Sequence, residues 1–290
     1  MPARRNRSTK LLMAGVLACL APSAIRAVAA VPFDDLVLTR TETAARPRSL
    51  APTLAQQVVA ASGRSPETAA EVERELNARI DQLQRRGTVV GNALDRARVI
   101  HEFIHADILR GKYDPAASDL AVTLAGGAYN CASVSAVFLT FAQAFGVDAT
   151  AVSVVGHVWC RIETEAGPFD VETTCRDWFV LAAARAGFTP QEHARQSPAW
   201  QEHLRRVAQA RELDQAAFLA VFHYNRGVRL LRQGEFEAAA AANRTALELD
   251  WRCEPAYGNL WAALGGRTGA KQAEREVSAG TPTLTSGNAR

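Results

Sequence analysis

One segment restricts this chain more than any other: Gly126 to Thr174, which reads GGAYNCASVSAVFLTFAQAFGVDATAVSVVGHVWCRIETEAGPFDVETT. Cys131 follows a Gly-Gly loop and Asn130, a good helix N-cap, so it falls in a first helical turn. Val134, Val137, Phe138, Phe141 and Phe145 then recur at three- and four-residue steps. That spacing is one apolar face of a helix, and Gly146 suits the position just past its end. The positive end of the helix dipole and the unpaired N–H groups there favour a thiolate and could hold an oxyanion.

A hairpin is expected next. Ala151 to Val155 is a short β-branched run, and His157 to Ile162 continues as a strand. Alternation puts His157, Trp159 and Arg161 on one face and Val158, Cys160 and Ile162 on the other. Thr164 to Gly167 is a tight turn, and Phe169 to Thr173 returns antiparallel with Phe169 and Val171 towards the core. Asp170 and Glu172 then share the face that meets His157. A turn centred on Thr164 and Glu165 sets His157 directly opposite Glu172 and Cys160 opposite Phe169. This register assigns the orienting acid to Glu172 and leaves Asp170 as a rim group or alternative acid.

Singly, a cysteine at a helix start is usually a small buried hydrophobe, and a strand histidine is usually structural. Together, a cysteine, a histidine and an acid in this order on these elements are what a thiol nucleophile needs.

These residues resemble the transglutaminase-like superfamily, relatives of papain-type cysteine peptidases. The similarity is to a bacterial branch in which G-H-V-x-x-R is followed by a strand ending in E-T-T and then by tetratricopeptide-like helices. Here these are Gly156-His157-Val158 with Arg161, and Glu172-Thr173-Thr174, within a resemblance running from about Asp95 to Leu264. It implies an α+β fold: a transglutaminase-like (papain-like) core with an antiparallel sheet, followed by a C-terminal helical hairpin. It also implies acyl transfer from an amide through a thioester on Cys131. His157 would serve as base and then acid, with Glu172 orienting it. Hydrolysis of a peptide or isopeptide bond of a protein or peptide substrate is the first expectation, and amine cross-linking the second. No cofactor is expected. Tyr113-Asp114-Pro115 resembles the approach to the nucleophile in the same family, which makes Tyr113, Tyr129 and Trp159 candidates for the cleft walls. The rival reading is a catalytically silent fold that binds a protein partner through its repeat.

A third reading comes from His101-Glu102-Phe103-Ile104-His105, an H-E-x-x-H segment that can hold zinc on a helix. The extended form of that motif needs glycine three residues further on, where Ile108 stands. The segment therefore reads as a decoy with no metal.

The rest of the chain sets the context. Arg4, Arg5, Arg7 and Lys10 precede an apolar run from Leu11 to Ala21 that is too short to span a bilayer, and Ala27-Val28-Ala29 fits a cleavage site. Residues 1–30 thus read as an export signal to the periplasm or the exterior; Val16-Leu17-Ala18 before Cys19 gives a lipoprotein alternative with a lipid anchor. The chain carries a net charge of +3, and residues 1–29 hold five basic residues and no acid, so the remainder carries −2. The basic excess belongs to the signal, and nothing supports nucleic-acid binding, which needs a clustered basic face.

Four further cysteines, Cys131, Cys160, Cys175 and Cys253, do not make a disulfide scaffold, and no Cys160–Cys175 bond is expected. Residues 31–64 read as a loose lead-in and residues 65–185 as the catalytic domain. Ser65-Pro66 starts a helix with Val72, Leu76, Ile80 and Leu83 buried. A second helix runs from about Leu94 to Leu109 on a stripe of Leu94, Ala97, Ile104 and Ile108. Beyond Thr174 the chain turns helical. Gly187 to Pro198 is a connecting loop, and residues 199–265 resemble tetratricopeptide repeats. Gly227, Leu231, Gly234, Phe236, Ala239, Ala246 and Leu247 carry that pattern, and Asn225 and Asn259 stand 34 residues apart. One and a half repeats cannot bury a core alone, so this region should pack on the catalytic domain. Residues 266–290 read as a disordered tail.

Overall fold

The computed structural model describes residues 52–186, 205 and 207–279. The export signal, the Cys19 lipobox, residues 31–51, the Gly187–Pro198 loop and residues 280–290 lie outside the described residues. Among those described, no helix is long and apolar enough to cross a membrane.

Side-chain caps explain where the first helices begin. Helix α1 (Leu54–Ala61) falls within the expected lead-in. Thr53 accepts from the Gln56 N–H while Gln56 caps Thr53 in return, and Val58 and Val59 are fully buried. This closed capping box with four apolar positions makes an eight-residue helix where a loose segment was expected. Helix α2 (Pro66–Arg86) starts at the Ser65 cap with Pro66 in the first turn and buries Val72, Leu76 and Leu83. Helix α3 (Ala93–Phe103) is capped by Asn92 and continues as a π turn over Ile104–Ile108. Leu94, expected in its stripe, is exposed, and Ile100 takes the core position. A short helix α4 (Leu120–Leu124) precedes helix α5 (Cys131–Ala144).

Ten of the fourteen residues of α5 are buried, polar Ser133 and Ser135 among them. The expected one-sided helix is instead the axis of the core, enclosed on nearly all sides. Phe138 and Phe141 are inaccessible, and each contributes about 1.5–3 kcal/mol by burial.

Strands β1 (Ala149–Val154), β2 (His157–Thr164) and β3 (Gly167–Val171) follow, then helix α6 (Trp178–Ala186) and strand β4 (Arg211–Leu213). They form a four-stranded sheet in the order β3-β2-β1-β4, each neighbouring pair antiparallel. The fold is therefore α+β with an antiparallel sheet. Strand β4 has no counterpart in the sequence reading; three residues give no periodicity to detect.

The β2–β3 register differs from expectation. Cys160 pairs with Val171, Arg161 with Asp170, Ile162 with Phe169 and Thr164 with Gly167. The two-residue turn is Glu165-Ala166, one residue later than expected, and Thr164 Oγ1 donates to the Gly167 carbonyl to close it. Val158, Cys160, Ile162 and Val171 face the core as alternation requires.

Helices α7 (Gln215–Arg232), α8 (Phe236–Leu249) and α9 (Glu254–Ala279) complete the described chain. Phe218 and Phe222 of α7 enter the same apolar cluster as α5, and Arg229 donates to the Ser62 carbonyl, so α7 is fastened to the sheet-bearing core. The described residues all belong to one unit. Helix α9 continues to Ala279, into the expected tail; Lys271 to Glu276 are strong helix formers, which extends it.

Candidate active site

Cys131 is placed by its own N-cap. Asn130 Oδ1 accepts from the Ser133 N–H, Ser133 Oγ accepts from the Asn130 N–H, and Asn130 Nδ2 donates to the Pro115 carbonyl at 3.0 Å. The capping box fixes the first turn, and the Pro115 bond fixes the incoming loop. Cys131 itself is 8% exposed.

His157 opens β2 and lies within hydrogen-bonding reach of the Cys131 thiol. Its Nε2 donates to Glu172 Oε2 at 2.5 Å, so Nδ1 is the nitrogen left for sulfur. Burial alone would push this imidazole down. The bonds and charges of Cys131 and Glu172 outweigh burial and hold it at about 10, as an imidazolium at neutral pH. Glu172 shows the matching balance: burial raises its carboxyl, but His157 and then Thr174 hold it below the ordinary range.

The carboxylate is fixed at its other oxygen. Thr174 donates to Glu172 Oε1 from both its hydroxyl, at 2.7 Å, and its backbone N–H, at 3.2 Å. Thr173 turns inward, with its hydroxyl 3.1 Å from Ser135 Oγ one helical turn below Cys131. The E-T-T sequence thus has three tasks: one residue grips the histidine, one anchors the strand to α5, and one grips the acid. Sequence reasoning named Glu172 and missed both threonines and Ser135. Its place four positions after Cys131 on one helix is the signal that could have found Ser135.

Asp170 lies elsewhere. Arg161 donates to it through two nitrogens, at 2.7 and 3.1 Å, and reaches Glu212 of β4 at 3.2 Å. This ion-pair cluster joins β3, β2 and β4, which makes Asp170 a sheet fastener rather than a partner of His157. Trp159 stacks on His157 with ring centres 5.8 Å apart and is 4% exposed, so it is a buried platform instead of an open cleft wall. Tyr113 and Tyr129 pack ring against ring at 6.2 Å in the segments leading to α5, and Tyr113 lies within reach of Cys131.

The H-E-x-x-H segment supports the acid strand. His105 Nε2 meets the Thr173 carbonyl at 3.0 Å, and His101 is buried with its ring 4.4 Å from that of His105. Glu102 is exposed to solvent. Burial, then the neighbouring His105, pushes His101 down to about 4, so it is neutral at physiological pH. Among the described residues no group of three His, Cys, Asp or Glu side chains is arranged to hold a metal ion.

Cys160 is fully buried and donates towards the Ser135 carbonyl at 3.7 Å, and burial pushes its ionisation far upward. Chemically, the site offers a sulfur nucleophile at a helix N-terminus, a charged imidazole beside it and a carboxylate behind that, which is the equipment of covalent acyl transfer. No protein-family model, curated protein or solved structure matches the chain.

Proposed function

We propose that this chain is a transglutaminase-like cysteine enzyme that transfers or hydrolyses acyl groups. The observation that carries the reading is the line Cys131–His157–Glu172, with the imidazole bonded to Glu172 and lying beside Cys131, both of which favour its charged form. Cys131 sulfur attacks the carbonyl carbon of an amide. As the C–N bond breaks, His157 gives its proton to the departing amine, leaving a thioester. Water or a second amine then attacks while His157 takes back a proton, and the C–S bond breaks to restore the thiolate. Glu172 keeps Nε2–H oriented and the imidazolium paired throughout.

Hydrolysis of a peptide or isopeptide amide is the first choice of reaction. Export by the residue 1–30 segment belongs to the same proposal. A protein partner at the repeat-like helices is the reading we give to that region, supported by Trp251 and Trp261, which are 72% and 70% exposed.

Limiting iodoacetamide near neutral pH followed by peptide mapping tests the enzyme reading. Cys131 is expected to be modified well ahead of Cys175 and Cys253. Equal modification of Cys131 and Cys253, or none at Cys131, would remove the basis for a thiol nucleophile.

A further inference from the structure

Tyr113 is held against the nucleophile by the backbone. It forms an isolated parallel bridge with Tyr129, two residues before Cys131. The Tyr129 N–H donates to the Lys112 carbonyl at 3.2 Å, and the Asp114 N–H donates to the Tyr129 carbonyl at 2.9 Å. At Gly111 the two segments cross so closely that a Cβ would lie 2.1 Å from the Gly127 carbonyl oxygen. The strap of residues 111–115 and the loop entering α5 therefore move as one piece. Tyr113 is half exposed while Cys131 is almost closed off, so the tyrosine is the solvent-facing member of the pair.

Resting on the acyl-transfer reading above, we infer that Tyr113 is a further catalytic residue whose phenol O–H stabilises the oxyanion formed on Cys131. In the resting site the phenol lies within reach of sulfur. When sulfur bonds to the carbonyl carbon, the π electrons move onto oxygen, which lies one bond beyond the new C–S bond. The same O–H then finds a full negative charge in place of sulfur, and its bond strengthens in the transition state. The phenol keeps its proton throughout; collapse of the tetrahedral species returns the electron pair to C=O and expels the amine with the proton from His157. The backbone N–H groups of the first turn of α5, which Asn130 leaves at Cys131 and Ala132, are a second source of donors. Burial, then the neighbouring Cys131, moves the Tyr113 ionisation up to about 12, so the donor stays protonated well above neutral pH.

Two reagents separate this role from simple tuning of the thiol. p-Nitrophenyl acetate acylates sulfur through an oxyanion, whereas iodoacetamide alkylates it without one. Tyr113→Phe keeps the ring that meets Tyr129. It is expected to slow single-turnover acylation by about 10²-fold or more, the usual effect of removing one oxyanion donor, while alkylation, which loses only the resting contact of the phenol with sulfur, changes far less. An unchanged acylation rate overturns the inference, as does an equal change in both rates. A wild-type protein that neither reagent modifies at Cys131 overturns the enzyme reading and this inference with it. A wild type that reacts with both, beside a variant that acylates as fast, overturns the inference alone.

Discussion

Glu172 reaches His157 on the diagonal. The register that pairs Cys160 with Val171 would, if continued, set Glu172 opposite Trp159, yet its Oε2 lies 2.5 Å from His157 Nε2. The reach is available because β3 ends at Val171, which frees Glu172 from the ladder, and because diagonal neighbours on one face lie within range of long side chains. Thr174 then holds the second carboxylate oxygen and prevents return to the ladder direction. Asp170 remains in register opposite Arg161 and is bound to it.

This division of labour separates the two acids experimentally. Glu172→Gln should slow acylation of Cys131 by roughly 10²–10⁴-fold with the fold retained, because the imidazole loses its partner and its tautomer. Asp170→Asn should leave the rate near wild type and lower stability by about 1 kcal/mol, as expected for a partly exposed pair. Single-turnover rates and urea unfolding of both variants provide the comparison. If the Asp170 variant is the inactive one, the assignment of the acid fails.

The ion pair also predicts a pH profile. His157 has its folded ionisation raised from 6.5 to about 10, so its stabilising contribution is complete below 6.5 and fades as pH rises through about 10. Glu172 has its folded ionisation lowered from 4.5, so its contribution is complete above 4.5 and fades as pH falls through the lower value. The stability gap between wild type and Glu172→Gln should therefore be widest between about pH 4.5 and 6.5, and narrow both on acidification below 4.5 and as pH rises towards about 10. Urea unfolding across that range measures it, and a gap constant with pH would show that the pair is not ionised as described.

Much of this arrangement was legible in the chain, for local reasons. Ser65 and Asn130 cap their helices as short polar side chains before apolar runs do, and strand alternation alone placed His157, Trp159 and Arg161 on one face. That Glu172 rather than Asp170 would meet His157 was legible too, although the register argued for it was displaced. The turn falls at Glu165-Ala166, and the contact is diagonal instead of direct. What the chain did not disclose depends on distant partners. Strand β4 exists because Ala151 to Ser153 offer it an edge, 60 residues back in the chain. Asp170 has its role because Arg161 and Glu212 converge there. The two histidines of H-E-x-x-H acquire theirs only when the acid strand folds over them.

His101 gives a prediction with the opposite sign to His157. Its folded ionisation is lowered from 6.5 to about 4, so between those values the unfolded chain binds a proton that the native state refuses. Stability should fall on acidification across this window, by at most about 1.4 kcal/mol per pH unit from this group. His101→Phe should flatten that part of the curve. Zinc and a chelator should both leave the melting temperature of the wild type unchanged, since Glu102 faces solvent and His105 Nε2 meets Thr173. An acid limb that survives the substitution, or a zinc-dependent rise in melting temperature, would count against the structural role given to this pair.

The last prediction concerns the helical hairpin that α7 and α8 form. A Cβ at Gly227 would stand 2.2 Å from Asn243 Nδ2, and Asn243 is fully buried, its Nδ2 donating to the Ala239 carbonyl at 2.8 Å. The amide is thus held by its own helix and cannot yield easily, so the two backbones keep their spacing only while residue 227 has no side chain. Gly227→Ala should gain up to about 1 kcal/mol from helix propensity but lose about 1–3 kcal/mol to overpacking, a net destabilisation. Asn243→Ala alone removes the amide and its bond. Combined with Gly227→Ala it also makes room for the new methyl, so the double variant should be more stable than the sum of the single effects predicts. Urea unfolding of the four proteins closes this cycle. Strict additivity would mean that Gly227 and Asn243 do not share the contact that sets the spacing of α7 and α8.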